Sequence, residues 1–195
     1  MSDNSASTDR ADLRDHCAEF VDDSLYAAAR NDAEELGAPT LDAVSADFVR
    51  QIARMVRARA AVCISPSAGV PALAVLAATG PDTVLTLIDN DPHHIEAARS
   101  ALRQSGYDAT SARFITARPM EVLGKLADGN YDLVVAEVEP HTVGPLVVRC
   151  GELLRPGGAL ILSGLHSPPE EVELPEASHV TALPVGPQGL TLITF

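Results

Sequence analysis

The feature that most constrains the fold is a regular alternation, after Arg59, of short apolar runs with helical stretches. This alternation is typical of βα units around a mainly parallel sheet, so the chain is predicted to be an α/β protein. Strands are predicted at Ala61–Ile64, Val84–Asp89, Arg113–Thr116, Leu133–Ala136 and Ala159–Leu162. Helices are predicted between and after them at Val70–Ala78, His93–Ser105, Met120–Ala127 and Val143–Leu154.

The two ends of the chain add helices and a hairpin. Residues 25–36 are rich in helix formers and are followed by Gly37 and Pro39, which predicts a short helix that stops there. A second helix, ending near Arg59, is predicted from apolar residues at three- and four-residue spacing: Leu41, Val44, Phe48, Ile52, Met55 and Val56. Near the C-terminus, an antiparallel hairpin is predicted from Val180–Leu183 and Leu190–Thr194, which flank the turn sequence GPQG.

Length and charge limit the number of domains and the kinds of partner. The chain has 195 residues, of which 46% are hydrophobic, and this favours a single domain over residues 1–195. Residues 1–19 are predicted to form a mobile acidic tail, because the first ten are small and polar. The formal net charge of −13 argues against nucleic acid and against anionic membranes as partners.

The cellular location and the state of the thiols are predicted from what the sequence contains. No apolar run approaches the roughly 20 residues that a membrane span needs, and the first residues lack the pattern of a signal peptide, so we expect a cytoplasmic protein. Cys17, Cys63 and Cys150 are widely spaced, with no C-x-x-C motif. Reduced, structural thiols are therefore predicted rather than a zinc site.

Two loops at the carboxyl ends of predicted strands are the candidate ligand sites, since open α/β sheets bind ligands at that edge. The first loop runs from Cys63 to Pro71 and contains Gly69. The second follows Asp89, whose carboxylate is placed to accept hydrogen bonds from ribose hydroxyls. A solvated loop carboxylate is the alternative interpretation of Asp89.

The residues after Asp89 are predicted to start a helix. Asp91 is expected to cap it, just before Pro92, and His93 and His94 are predicted to be solvated surface groups. Two other enzyme classes receive little support from these loops. The G-x-G-x-x-G pattern of nicotinamide binding is absent, and the serines of the first loop have no histidine or acid at the spacing of a hydrolase elbow.

On these residues the chain resembles the class I S-adenosylmethionine-dependent methyltransferases, and specifically the family 3 O-methyltransferases, the caffeoyl-CoA O-methyltransferase-like group. The likeness runs from LYAAARNDAEELGAP through the strand segments to LLRPGGALIL, and includes the hairpin. It implies a Rossmann-like methyltransferase fold, with N-terminal helices and a mostly parallel seven-stranded sheet that has an antiparallel strand. It also implies a homodimer.

The resemblance implies S-adenosylmethionine as the cofactor. Members of the family have an acidic residue followed by G-x-G-x-G across the first loop, where this chain has Cys63, Ser65, Ser67 and Gly69 and keeps only the last glycine. Asp89 matches the acid that binds ribose, and Ala117-Arg118-Pro119 match the stretch that borders adenine. The implied cofactor-binding residues are thus Ser65, Ser67, Gly69, Asp89, Asn90, Ala117, Arg118 and Pro119.

The family's metal and base positions are altered in this chain. Its D-A-D-K after the fourth strand and D-N after the fifth are replaced by Glu137-Val138-Glu139-Pro140 and Ser163-Gly164. Magnesium needs several oxygen ligands, so no divalent metal is expected here. Lys125 is the only lysine in the sequence, and it lies on a different helix. Glu137 and His141 are the remaining candidate catalytic groups, with His141 able to act as a base near neutral pH.

Two functions remain open from the sequence. The first is an S-adenosylmethionine-dependent O-methyltransferase that acts on an unidentified small hydroxyl acceptor without a metal. The second is a catalytically inactive protein of the same fold that serves as a binding or dimerisation partner. For Glu137 the alternative is a loop acid without a role, and for His141 it is a cap on the following helix.

Overall fold

The computed structural model of the chain describes residues 16, 19–64, 69–108, 110–137, 143–165, 178–186 and 189–195. Most of the predicted tail lies outside these ranges, as do the predicted site residues Ser65, Ser67 and His141. In the described ranges, no helix has the length and apolar character that crossing a membrane requires.

The described residues form a short 3-10 turn, six α-helices and seven strands. The turn is Asp23–Leu25, and the helices are α1 Ala27–Glu35, α2 Ala43–Met55, α3 Val70–Thr79, α4 Pro92–Gln104, α5 Pro119–Leu123 and α6 Val143–Leu153. The strands are β1 Ala60–Ile64, β2 Val84–Asp89, β3 Ala112–Thr116, β4 Tyr131–Glu137, β5 Leu154–Ser163, β6 His179–Leu183 and β7 Leu190–Thr194.

All strands lie in one sheet of order β3-β2-β1-β4-β5-β7-β6. Strands β1 to β5 are parallel, whereas β7 pairs antiparallel with β5 and β6 pairs antiparallel with β7. The seven-stranded α/β fold with a C-terminal antiparallel hairpin is thus confirmed. The predicted bounds of β2 and β7 agree with the structure at both ends.

Side-chain alternation along the central strands builds a core on each face of the sheet. On β1, Ala61 and Cys63 belong to a cluster with α1 to α4, while Val62 and Ile64 belong to a cluster with α5 and α6. Because successive residues of a strand point to opposite faces, a continuous apolar run marks a strand that is covered on both sides. This explains why the central strands show no polar alternation.

Two helices end several residues earlier than predicted. Helix α2 stops at Met55 rather than near Arg59, because Arg57 has a left-handed φ of 52° and the Ala58 N–H bonds back to the Ala53 carbonyl. Helix α5 stops at Leu123 rather than Ala127. There the backbone changes to hydrogen bonds between residues three apart, as in a 3-10 turn, instead of the four-residue spacing of an α-helix. The guanidinium of Arg149 donates to the carbonyls of Leu123 and Leu126 at this end of the helix, and the Leu123 carbonyl also accepts from the Leu126 N–H.

Strand β5 begins earlier than predicted, at Leu154 rather than Ala159. Its Pro-Gly-Gly segment has the composition of a loop, but it lies within the strand as an irregularity in the pairing with β4. The Gly157 N–H donates to the carbonyl of Phe195 over 2.6 Å, and the Phe195 N–H donates to the carbonyl of Gly158 over 3.2 Å. Pairing with the end of the chain therefore holds this segment in the sheet.

Candidate active site

The carboxyl ends of the parallel strands bring the predicted residues to one edge of the sheet. The register pairs Ile64 of β1 with Ile88 of β2 and with Ala136 of β4, so Asp89 and Glu137 follow on either side of the end of β1. The chain passes from β1 to β2 on one side and later returns to β4 on the other, so this is the topological switch point. With neighbouring strands about 4.8 Å apart, the backbones of Asp89 and Glu137 are separated by roughly 10 Å.

Asp89 ends β2 as a buried carboxylate with only 3% of its side chain exposed. Its Oδ1 accepts a hydrogen bond from the backbone N–H of Asp91 over 2.8 Å, and its carbonyl accepts one from the N–H of Ala117 over 2.9 Å. The interpretation of Asp89 as a solvated loop acid is therefore wrong. The loop after β2 thus holds its side chain, and the loop after β3 holds its backbone.

The first turn of α4 contains a contact that the sequence analysis missed. Asp91 caps the helix as predicted, accepting from the His93 N–H over 2.7 Å, and His93 is exposed. His94, however, is not a solvated surface group: its side chain is 17% exposed and its Nδ1 lies 3.3 Å from Asp89 Oδ2. Helix side chains tilt toward the N-terminus, so an aromatic group in the first turn reaches back to the strand end that precedes it.

Gly69 occupies the entrance of α3, the helix that follows β1. It is the N-cap residue and has a φ of 92°, a backbone conformation that L side chains rarely adopt. Pro71 lies in the first turn, where its missing N–H breaks no helical hydrogen bond. Because Val70 to Leu76 are all buried, α3 is fixed within the core with its N-terminus at the switch point.

The segment Ala117-Arg118-Pro119 lies beside Asp89, joined to it by the Ala117 N–H bond described above. Ala117 is partly buried, and Pro119 begins α5. Arg118 extends its side chain into solvent with 83% of it exposed, and pairs with Glu121 at 3.9 Å. Asn90 is also exposed, in the bend after β2. The backbone of this segment and Asn90 thus border Asp89, while the Arg118 side chain points into solvent.

Cys63 stands where the family has an acidic residue, and its surroundings are apolar. The thiol is 1% exposed within the core cluster on the α1 to α4 face. Burial raises its pKa to about 12, so the group is neutral at physiological pH. The structure therefore has no negative charge at this position.

The ends of β4 and β5 bring Glu137 next to Ser163, which are paired in the register. Glu137 is partly exposed, and Ser163 is buried. In the part of the chain that the structure describes, no group of three or more His, Cys, Asp or Glu residues could hold a metal ion. A carboxylate beside a neutral hydroxyl does not fit the oxygen-rich shell of a hard divalent cation.

A parallel sheet with a topological switch point, a buried carboxylate at the end of β2 and a glycine-capped helix after β1 define a doubly wound α/β protein, a class that binds its ligands at that switch point. No protein-family model matches the chain. Curated relatives do match it. A candidate O-methyltransferase of Mycobacterium sp. strain JLS is 37% identical over 72% of this chain, and one of Mycolicibacterium smegmatis is 36% identical over 72%.

Solved structures share the fold of this chain. A Corynebacterium glutamicum protein is 30% identical, with a TM-score of 0.83 over 94% of this chain and 95% of its own. The O-methyltransferase TomG of Streptomyces achromogenes, solved with S-adenosylmethionine, is 18% identical, with a TM-score of 0.78 over 94% of this chain and 95% of its own. The latter likeness concerns the fold.

The chain belongs to the O-methyltransferases, the enzyme class that the sequence resemblance indicated. It matches 67% of the length of the Mycolicibacterium smegmatis relative and 64% of the Mycobacterium sp. relative. The chain thus spans just under two thirds of the length of the relative from Mycobacterium sp. strain JLS.

Proposed function

We propose that the protein transfers a methyl group from S-adenosylmethionine to the hydroxyl group of a small acceptor, without a metal. The observation that carries this proposal is the buried Asp89 carboxylate, which is held at the switch point of the sheet. The curated relatives of the chain are described as O-methyltransferases. The complex of TomG with S-adenosylmethionine supports the choice of cofactor.

The proposed cofactor site has three parts. Asp89 and Asn90 bind the ribose, and the Asp89 carboxylate accepts hydrogen bonds from the hydroxyl groups of the sugar. Ala117, Arg118 and Pro119 border the adenine. Gly69 lies at the start of α3, whose N-terminus faces the crevice; the first-loop residues Ser65 and Ser67, proposed from the sequence, complete the site.

The proposed chemistry needs little from the protein beyond positioning and one proton acceptor. When bound, S-adenosylmethionine supplies a methyl group on a sulfonium, whose carbon–sulfur bond breaks as a bond to the acceptor oxygen forms. Glu137, at the end of β4, accepts the hydroxyl proton, and His141 is the second candidate for this role. Holding the reactants in line accounts for most of the expected rate.

Calorimetric titration with S-adenosylhomocysteine tests the cofactor site. We expect wild-type protein to bind, and Asp89→Asn to weaken binding by at least about tenfold, because a charged acceptor of two hydroxyl groups is lost. Asp82→Asn is the matched control, since Asp82 is exposed in the turn before β2, at the opposite end of that strand. Absence of binding by the wild type, or equal binding by Asp89→Asn, would overturn the site.

Turnover tests the catalytic assignment. Release of S-adenosylhomocysteine is measured with catechol and a panel of other small hydroxyl acceptors. On any acceptor that is methylated, Glu137→Gln is expected to lower the rate by about 10²- to 10⁴-fold with unchanged cofactor affinity, whereas the exposed Glu96→Gln leaves both unchanged.

Two outcomes of the turnover assay count against parts of the proposal. An unchanged rate in Glu137→Gln would transfer the role of base to His141. Cofactor binding without turnover on the whole panel would favour the non-catalytic binding protein. The homodimer and the cytoplasmic location stay predictions from the sequence.

A further inference from the structure

The pair formed by His94 and Asp89 carries a role that family membership does not assign. We propose that His94 is a positioning residue of the nucleoside site: its ring fixes the Asp89 carboxylate in the orientation that accepts both ribose hydroxyls. The inference rests on the proposed function, because it concerns how the same site holds its ligand. It starts from the 3.3 Å distance between His94 Nδ1 and Asp89 Oδ2.

The chemistry of the two groups decides which atom donates. An ionised carboxylate can only accept hydrogen bonds, so a bond between these atoms requires a proton on Nδ1 of His94. Asp89 therefore selects one ring tautomer, and the ring in turn restrains Oδ2. Histidine and carboxylate restrain each other in the same way where a buried pair orients a ligand-binding group.

The count of lone pairs shows that this restraint leaves room for the ligand. Each carboxylate oxygen can accept about two hydrogen bonds. Among the described residues, Oδ1 accepts from the Asp91 N–H and Oδ2 from His94, which leaves one acceptor position on each oxygen. The two adjacent hydroxyl groups of a ribose need one position on each oxygen. The protein thus uses one acceptor position on each carboxylate oxygen, and the second position on each oxygen remains for a ribose hydroxyl group.

Without the ring, Oδ2 would lose its restraint. The terminal torsion of an aspartate is broad, so a single backbone hydrogen bond to Oδ1 leaves the carboxylate plane free to rotate. Rotation would have to be frozen when a ribose binds, and the affinity would fall by that entropic cost. The ring itself is fixed, because α4 begins at Pro92 behind the Asp91 cap and His94 lies in its first turn.

A double-mutant cycle measured by calorimetry with S-adenosylhomocysteine tests this role. His94→Leu is expected to weaken binding by about five- to tenfold. His94→Asn, whose amide nitrogen lies near the position of Nδ1, is expected to recover binding to within about threefold of the wild type. His93→Leu is the matched control on the neighbouring, exposed residue and is expected to change affinity by less than about twofold.

The cycle separates positioning from direct contact with the ligand. If His94 acts through Asp89, His94→Leu has no further effect in an Asp89→Asn background. An equal loss in both backgrounds would overturn the inference, and so would wild-type affinity in His94→Leu. Failure of the wild type to bind S-adenosylhomocysteine would instead remove the proposed function, and the inference with it.

A measurement on the wild-type protein keeps the inference testable if the variants do not fold. Nitrogen-15 spectra of the histidine rings are expected to show a protonated Nδ1 for His94. Addition of S-adenosylhomocysteine should shift the His94 signals and leave those of His93 nearly unchanged. A His94 ring protonated on Nε2 alone, or one indifferent to the ligand, would overturn the role.

Discussion

Gly69 packs directly against Ala98: a β-carbon on Gly69 would lie 3.0 Å from the Cα and 3.2 Å from the Cβ of Ala98. Gly69 also has a φ of 92°, so both its backbone and its surroundings require glycine. The contact joins the entrance of α3 to the middle of α4, which starts beside Asp89. This chain thus retains the family's first-loop glycine at a position where α3 and α4 pack closely together.

Substituting this glycine is expected to reduce stability by two additive effects. Gly69→Ala should lower the free energy of unfolding by about 2–4 kcal/mol, from left-handed strain and from crowding against Ala98. Gly106→Ala is the matched control: Gly106 follows α4 in a left-handed cap with a φ of 83°, but nothing lies within 4 Å of the place that an added methyl group would take, so only about 1–2 kcal/mol should be lost. Urea unfolding measures both. Equal losses would show that the contact with Ala98 has no energetic weight.

Asp132 is expected to be the most sensitive acidic residue for folding. It is 1% exposed, accepts from the backbone N–H groups of Arg59 and Ala60 over 2.6 and 3.0 Å, and forms an ion pair with Arg155. Asp132→Ala leaves these donors without their acceptor at the start of β1 and should cost about 3 kcal/mol or more. Asp128→Ala, at a largely exposed carboxylate, should cost less than about 1 kcal/mol. Similar urea midpoints for both variants would contradict this ranking.

The two buried thiols are expected to be unreactive in the native protein. Burial raises the pKa of Cys63 and that of Cys150 to about 12, from an ordinary value of 9.0. In a Cys17→Ser variant, used because Cys17 lies outside the described residues, we expect almost no reaction with a disulfide reagent at pH 8. Both thiols should react once urea unfolds the chain. Rapid labelling of the native variant would contradict their burial.

The same thiols are expected to make stability fall at alkaline pH. Between about pH 9 and pH 12 the unfolded chain releases thiol protons that the native protein keeps, so stability is full below pH 9 and declines above it. Each thiol should contribute up to about 1.4 kcal/mol per pH unit. Urea unfolding of Cys17→Ser from pH 8 to 10.5, compared with a variant that also carries Cys63→Ala and Cys150→Ala, isolates this effect. Parallel pH profiles would contradict it.

The sheet could be predicted from sequence because each central strand is buried on both faces and is bounded by turn residues. The strand Val84–Asp89 is the clearest example, since its apolar run ends at Asp89, the residue on which the proposed ligand site depends. Such local patterns do not predict contacts between residues that are far apart in the sequence. The early end of α5 depends on Arg149, 26 residues beyond Leu123, and the start of β5 depends on pairing with Phe195.

The candidate site was predictable only as far as it lies on strand ends. Asp89 follows directly from the position of β2. The sequence pattern assigns His94 to the surface because it lies near the start of an amphipathic helix, where polar residues are usually solvated. Its contact with Asp89 depends on where the helix begins and on the direction of side chains in the first turn. The predicted helix starts one residue late, and such an error changes the direction assigned to the His94 side chain.

A crystal structure of the protein with S-adenosylhomocysteine tests the nucleoside site most directly. We expect the 2′ and 3′ hydroxyl oxygens of the ribose to lie within hydrogen-bonding distance of the two Asp89 oxygens, with His94 still bonded to Oδ2 and the adenine beside Ala117. A ligand whose ribose lies away from Asp89, or a carboxylate that turns toward other partners when the ligand binds, would contradict the assignment.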